Sequence, residues 1–354
     1  MLCIKTLEWK IAHIPRSLPL VTSHEAEYTS TNIFLRIETD DAIGYGSAAP
    51  TDVTGETEQT VCATLESLRD MLHGKTFTHA FDVLGRMQEA IAGHPSAKAA
   101  LDMALFDCLA RLEGKPLFRL FGAQRDRLPL FVTIPLVDKD ISVDIANRLI
   151  AGGFGHLKMK VGNNYREDLG RIEAVRRQHT QAVIAADANQ GYSRTQAHDF
   201  CLAAEKLGVT FVEQPIAKED TKGMRALVEL HILPIVADEA LLTFEDAAAL
   251  EQNPYANGVT LKLMKHGGIT PNRSISAACE RAGCFTLQGC MGESQLSIAA
   301  GLHCALADPN STHVDLDSFL NLAADPCSGL RIENGTLIAP AKPGLGIDVH
   351  WDDF

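Results

Sequence analysis

HLKMKVGNNYREDLGRIEAVRRQHTQAVIAADANQGYSRTQAHDFCLAAEKLGVTFVEQP, residues 156–215, carries the pattern that decides the fold. Short apolar runs (HLKMKV, AVIAAD, TFVEQ) alternate with longer amphipathic stretches, the rhythm of strands joined by crossover helices. The rhythm extends in both directions. LPLFVTI (128–134) precedes it, and PIVAD (234–238), GVTLKL (258–263), CFTLQG (284–289) and HVDLD (313–317) follow. Helix starts fall between the runs. Ser193-Arg194-Thr195-Gln196 and Thr243-Phe244-Glu245-Asp246 resemble capping boxes. Thr270-Pro271 is expected to put a cap before a proline at the first helical position, in a helix that closes at Gly283. Eight strands at about 25 residues per unit match a (β/α)₈ barrel. A doubly wound open sheet is the layout that repetition alone leaves open.

The first 120 residues read differently. Residues 1–14 and 32–47 are strand-like, with a turn at Asp40-Asp41, and predict an antiparallel ribbon. Helices are expected at 57–73, 80–92 and 96–113, the last ending at Gly114 before Pro116. Gly44-Tyr45-Gly46 reads as a strand-end turn without a dinucleotide fingerprint. The expected organisation is an α+β capping domain over 1–122 and a catalytic barrel over 123–330. A hairpin through Glu333-Asn334-Gly335 opens a tail, 331–354, expected to pack back on the capping domain.

The chain has 354 residues, enough for a large buried core. Its 45 acidic and 32 basic residues give a net charge of −13, with no Lys/Arg block to bind nucleic acid or anionic lipid. The nine cysteines include no C-x-x-C pair, which points to reduced thiols in a cytoplasmic protein. MLCIKTLEWKIAHIP, at the start, has charges inside its apolar run and is not expected to be a signal peptide. No apolar run approaches the ~20 residues that span a bilayer. A soluble protein, probing small molecules rather than membranes, is the expectation, with a homo-oligomeric state.

Charged residues recur at the C-terminal ends of the predicted strands: Lys158 and Lys160, Asp187, Glu213, Asp238 and Glu239, Lys262, then Asp315 and Asp317. From Lys160 through Asp187, Glu213 and Asp238 to Lys262 the separations are 27, 26, 25 and 24 residues. Each step is one strand plus one helix, so all five land on the rim where barrel enzymes keep their active sites. A single aspartate there is usually a helix cap and a single lysine a solvated charge. Independent caps have no reason to keep this order. Asp187, Glu213 and Asp238 offer three hard oxygen donors, which suits Mg²⁺ with Mn²⁺ as a substitute. The absence of His and Cys from the pattern disfavours zinc. His266, alone four residues after Lys262, reads as structural.

KMKVG (158–162), DANQGY (187–192), VEQP (212–215), ADE (237–239) and LKLMKHGG (261–268) together resemble the muconate lactonizing branch of the enolase superfamily. The resemblance extends to SAKAALDMALFDCLARLEGKPLFRLFG (96–122) and KPGLG (342–346), and so covers essentially the whole chain. It implies that Lys160 and Lys262 are the two acid/base groups, that Asp187, Glu213 and Asp238 hold the metal, and that Lys158 lies near the substrate carboxylate or beside Lys160 as an electrostatic neighbour. The chemistry explains the combination. A proton on the carbon beside a carboxylate is weakly acidic because its loss makes a dianionic enolate. A Lewis acid absorbs that charge, and bases on both faces allow inversion.

Asp315-Leu316-Asp317 narrows the reaction. A D-x-D at the end of strand eight resembles the dipeptide epimerases, where the pair binds the substrate's ammonium. Two adjacent carboxylates repel each other in an empty site, so a cationic partner suits them. The expected reaction is inversion of the C-terminal residue's α-carbon in an L,L-dipeptide. The alternatives are muconate cycloisomerase, o-succinylbenzoate synthase or N-acylamino acid racemase activity, and a barrel that binds a small acid without turnover. Met291 in the loop after strand seven, Thr133 of strand one, and Glu25 are the further expected substrate contacts. Glu25 belongs to 16–30, read as a loop that closes over the substrate. With His24, Glu25 and Glu27 there and only Arg16 at its start, an acidic substrate side chain is disfavoured, and hydrophobic or cationic ones stay open.

Overall fold

The computed structural model describes residues 2–23 and 26–354. A four-stranded antiparallel sheet comes first, in the order Ile43–Ala48, Ala26–Thr39, Leu2–Val21, Thr76–Phe77. Helices Glu58–Leu72, Ala80–Ala90 and Pro95–Leu112 cover it. The Ala-rich third helix lies almost flat on the strand Ile43–Ala48. A Cβ at Gly44 would come within 2.1 Å of the Ala104 carbonyl oxygen, and one at Gly46 within 2.0 Å of Ala100's. These glycines are therefore inside a strand, not in a strand-end turn as the sequence reading had it. Only a bare backbone permits so close a helix–sheet approach.

The segment 16–30 also departs from expectation. It is not a loop. The first strand runs unbroken to Val21 and pairs with Ala26–Thr39 as a long ribbon. The ladder jumps between Pro15↔Thr29 and Leu20↔Glu27. Pro15 and Pro19 lack an N–H, and the intervening backbone finds partners outside the ribbon. Arg16 bridges Leu322, and Leu18 exchanges hydrogen bonds with the Asn321 side chain at 2.7 and 2.6 Å. His24 and the predicted substrate contact Glu25 lie outside the described residues.

Eight parallel strands follow, each hydrogen-bonded to its sequence neighbours: Phe131–Ile134, His156–Lys160, Val183–Asp187, Val209–Glu213, Ile235–Ala237, Gly258–Leu261, Phe285–Gly289 and Ser311–Asp315. They are numbered one to eight below. All eight predicted strands are present, and the open-sheet alternative falls because strand one bends round to meet strand eight at the bridge Leu130↔Val314. Inside the barrel lie Phe131, Ala185, Phe211, Val236 and Leu287. The outward-facing residues, Met159 and Ile184 among them, pack under the helices.

Both predicted capping boxes form, at Ser193 and Thr243. The helix after strand six does not start at Thr270. It spans Ile269–Arg281, with Gly268 at the N-cap. The cap comes from the other domain: Asp102 of the Pro95–Leu112 helix accepts from the N–H groups of Ile269 (2.9 Å) and Thr270 (3.2 Å). Pro271 still falls in the first turn, where no intrahelical donor is needed. The closing segment divides its packing. The hairpin Arg331–Glu333/Thr336–Ile338 pairs with Arg127–Pro129 beside the barrel, whereas Leu345, Ile347, Trp351 and Phe354 join the capping-domain core.

Candidate active site

The rim at the C-terminal ends of the strands collects the predicted residues. Strand alternation turns Lys158 and Lys160 inward and leaves Met159 in the helix layer. Asp187 and Glu213 end strands three and four, Asp238 follows strand five, Lys262 follows strand six, and Asp315 ends strand eight. Strands two and six are half a barrel apart, so Lys160 and Lys262 approach the centre from opposite sides.

The charges interlock. Lys158 Nζ lies 2.6 Å from Asp315 Oδ2, 2.9 Å from Glu213 Oε2 and 3.0 Å from Asp187 Oδ2. Lys160 Nζ donates to Asp187 Oδ2 at 2.7 Å and to Asn189 Oδ1 at 3.0 Å. Lys262 Nζ donates to Asp238 Oδ2 at 2.6 Å. Asp238 has a second cation, Lys265, whose Nζ donates to Oδ1 at 2.8 Å and to the backbone carbonyl at 2.7 Å. Burial would lower the pKa of Lys262, but the Asp238 carboxylate raises it above the ordinary lysine value. Burial likewise opposes ionisation of Asp187, yet Lys158 and Lys160 hold it down to about 2. Glu213 is pushed up to about 8 by burial and by the neighbouring Asp187.

The donor chemistry fits a hard divalent cation. Asp187, Glu213 and Asp238 are buried carboxylates on adjacent strands. Glu213 Oε1 has no hydrogen-bond partner, nor do Glu239 Oε2 and Asp315 Oδ1. A buried, unpaired carboxylate oxygen beside two other carboxylates is costly unless a cation meets it. Among the described residues no His, Cys, Asp and Glu side chains stand ready as a closed metal shell; Lys158 is paired with Asp187 and Glu213, and Lys262 and Lys265 with Asp238. His266 is buried against the Leu242 carbonyl at 2.8 Å.

The lysines and acids open into a cavity of about 410 Å³ roofed by the N-terminal ribbon. Lys158, Lys160, Lys262, Asp315, Asp317, Met291 and Thr133, all singled out from sequence, line it. Asp317 Oδ2 accepts from the Thr133 N–H at 2.6 Å. The ribbon tip is tied to three strand ends: to Asn321 after strand eight, to Leu136 after strand one (Leu136 N–H to Val21 carbonyl, 3.0 Å) and to Asn189 after strand three (Ser23 Oγ to its carbonyl, 3.1 Å). Asn32 and Ser30 hold the Gly292 carbonyl of the loop after strand seven.

Sequence reasoning gave no role to Lys265, Asn189 or Asp52, and counted Glu27 only among the acids of the 16–30 segment. Lys265 repeats the helical spacing of Lys262 within LKLMKHGG, a signal that could have exposed it. Glu27 and Asp52 line the cavity from the capping domain, and their convergence depends on a ribbon that the sequence reading took for a loop. Arg16 is buried in an ion pair with Glu27.

Two family descriptions match the chain: "Mandelate racemase / muconate lactonizing enzyme, N-terminal domain" over residues 6–122 and "Enolase C-terminal domain-like" over 142–353. The chain is 36% identical over 353 residues to an L-Lys-D/L-Arg epimerase of Methylococcus capsulatus, covering 97% of this chain and 98% of that one. Its structure superposes on the substrate-liganded L-Ala-D/L-Glu epimerase of Bacillus subtilis with a TM-score of 0.95 at 32% identity, over 98% and 99% of the two chains. The dipeptide epimerase of Enterococcus faecalis, complexed with Mg and L-Leu-L-Tyr, gives a TM-score of 0.94 at 28% identity over 98% and 99%.

Proposed function

We propose, on the premise that the chain belongs to the mandelate racemase/muconate lactonizing enzyme group of the enolase superfamily, that it is a Mg²⁺-dependent dipeptide epimerase. It inverts the α-carbon of the C-terminal residue of an L,L-dipeptide by a 1,1-proton transfer. One observation carries the reading. Lys160 and Lys262 stand half a barrel apart, each bonded to a different carboxylate, and line one cavity with Asp315 and Asp317.

Asp187, Glu213 and Asp238 would hold the Mg²⁺, which supplies Lewis-acid stabilisation to charge developing on the substrate carboxylate. Lys158, buried among Asp187, Glu213 and Asp315, adds a fixed positive charge beside that carboxylate. Lys160, as a neutral amine, takes the α-proton on one face. Lys262, as an ammonium, returns a proton to the other, and the roles exchange for the opposite epimer. Asp315 and Asp317 receive the dipeptide's ammonium, for which the unpartnered Asp315 Oδ1 is a ready acceptor. Thr133 fixes Asp317 through its backbone N–H, and Met291 packs beside the reacting carbon. Arg16 is neutralised by Glu27, and Asp52 adds a further negative charge to the same wall. An acidic side chain on the C-terminal residue is therefore opposed.

No helix among the described residues is long and apolar enough to cross a membrane, and all nine cysteines are free. The free thiols support a cytoplasmic location. The test is incubation in D₂O with Mg²⁺ and a pooled dipeptide library. Deuterium should appear at the C-terminal α-carbon with inversion. Turnover of muconate or a succinylbenzoate precursor, with no exchange in any dipeptide, would assign the chain to the cycloisomerase or synthase alternative.

A further inference from the structure

We propose that the first residue of the dipeptide carries a large apolar side chain, seated in the seam between barrel strands one and eight. The inference rests on the epimerase reading above.

The seam is a gap in the hydrogen-bonded wall. Among the described residues, strands one and eight share only the bridge Leu130↔Val314, where every other adjacent pair forms a ladder. Above that bridge the two strands are joined by Asp317 Oδ2 accepting from the Thr133 N–H. The cavity is lined by both Thr133 and its neighbour Val132. Consecutive strand residues point to opposite faces of a sheet, and Val132 packs in the layer outside the barrel. A cavity that touches both faces of strand one reaches beyond its inner face, and the seam is the open edge beside it.

Beyond the edge the walls are Val132, Ile145, Leu149 and Phe154. Ile145 and Leu149 come from the helix Lys139–Ala151 that follows strand one. Leu149 packs against the apolar clusters on both sides of the seam. These four walls carry no side-chain donor or acceptor, so they offer nothing to a polar occupant and leave poorly held water in an empty arm. The position of the arm selects which part of the substrate enters it. With the C-terminal α-carbon between Lys160 and Lys262 and the ammonium at Asp315 and Asp317, the first residue's α-carbon lies at the seam's mouth. Its side chain is the group that reaches the arm.

Each methylene placed in a fitting apolar pocket is worth about 10- to 200-fold in selectivity. The purified enzyme with Mg²⁺ should be given L-Ala-L-Ala, L-Val-L-Ala, L-Leu-L-Ala and L-Lys-L-Ala, with kcat/KM read from α-deuterium exchange. L-Leu-L-Ala is expected to exceed L-Ala-L-Ala by at least about tenfold, with L-Val-L-Ala between them and L-Lys-L-Ala below L-Leu-L-Ala. Leu149→Phe, which narrows the arm, should lower the Leu-to-Ala ratio by a similar factor. The wild-type series decides the matter even where that variant folds poorly. Equal rates across the series, or preference for lysine, overturn the seam assignment while the epimerase reading stands. No exchange with any dipeptide overturns both.

Discussion

Asp317→Asn removes one negative charge and little else. The wild-type carboxylate accepts the Thr133 N–H at 2.6 Å, and an asparagine carbonyl oxygen can accept it equally. What disappears is half of the anionic pair proposed to meet the dipeptide's ammonium. Asp317 is enclosed beside Asp315, whose Oδ2 is already given to Lys158, so Asp317 is the less committed partner. A charge-assisted hydrogen bond lost from such a site costs about 2–4 kcal/mol. At 1.4 kcal/mol per decade, kcat/KM for free dipeptides should fall roughly 30- to 1000-fold. N-acetyl dipeptides, with no charge to pair, should be poor substrates of the wild type and lose less in the variant. Burial, then the Asp315 charge, pushes Asp317 up to about 6, and ammonium capture needs the ionised form. The wild-type kcat/KM should therefore decline as pH drops through about 6, and the variant should lack that limb. Stability runs the other way. A folded pKa above the ordinary 3.8 means the folded state binds the proton more tightly, so this group's contribution diminishes as pH rises from about 4 to about 6. Polarimetry or proton NMR of the α-carbon across pH 5–8 reads the kinetic effect. A wild-type preference for N-acetyl dipeptides would refute the reasoning and favour N-acylamino acid racemisation.

Lys160→Ala and Lys262→Ala should each abolish epimerisation while leaving α-proton exchange of a single, opposite stereoisomer; near wild-type epimerisation in either variant would break the two-base assignment. EDTA should abolish activity and Mg²⁺ restore it, and Glu213→Gln should lose Mg²⁺ binding by calorimetry, as should loss of Asp187 or Asp238. Burial raises Asp102 to about 7, so its contribution to stability diminishes as pH rises from about 4 to 7. The melting-temperature advantage of the wild type over Asp102→Asn should accordingly shrink between pH 5 and pH 8. Lys265→Met should weaken Mg²⁺ binding and depress exchange on the Lys262 face more than on the Lys160 face, with partial rescue by Lys265→Arg; equal loss on both faces would mark Lys265 as merely structural.

The barrel was legible because its information is local and repeated. Each strand is a short apolar run, and each rim residue follows its predecessor by one strand and one helix. What escaped the sequence reading is non-local. The ribbon at 16–21 continues as a strand because Leu18 and Arg16 find partners at 321–322, some 300 positions away. The cap on Ile269 is an aspartate from the other domain, where a Thr-Pro pair looked sufficient. Gly44 and Gly46 read as a turn because nothing in their own neighbourhood reveals the helix pressed against them. Among site residues, Lys160 and Lys262 announced themselves by register. Asp52 could not, since a capping-domain acid acquires its meaning only from the cavity it faces.

Lys265 completes a symmetry that explains how two lysines can leave their carboxylates. Asp187 is held by Lys160 at 2.7 Å and by Lys158 at 3.0 Å. Asp238 is held by Lys262 at 2.6 Å and by Lys265 at 2.8 Å. In each pair one side chain is 12% exposed, Lys160 or Lys262, while the other is nearly sealed, at 3% for Lys158, which touches the cavity only at its wall, and 0% for Lys265. A lysine that trades protons with substrate must move away from its aspartate, and a buried carboxylate stripped of its countercharge is costly. The sealed partner stays behind, keeps the carboxylate ionised and fixes its orientation, so the mobile lysine can act without disturbing the donor set. Lys265 adds a grip on the Asp238 backbone carbonyl, which anchors it more firmly than charge alone. On the proposed two-base reading, the sealed lysines would position and the exposed ones react, and the two faces of the substrate would be served by equivalent devices built on unrelated segments of the chain.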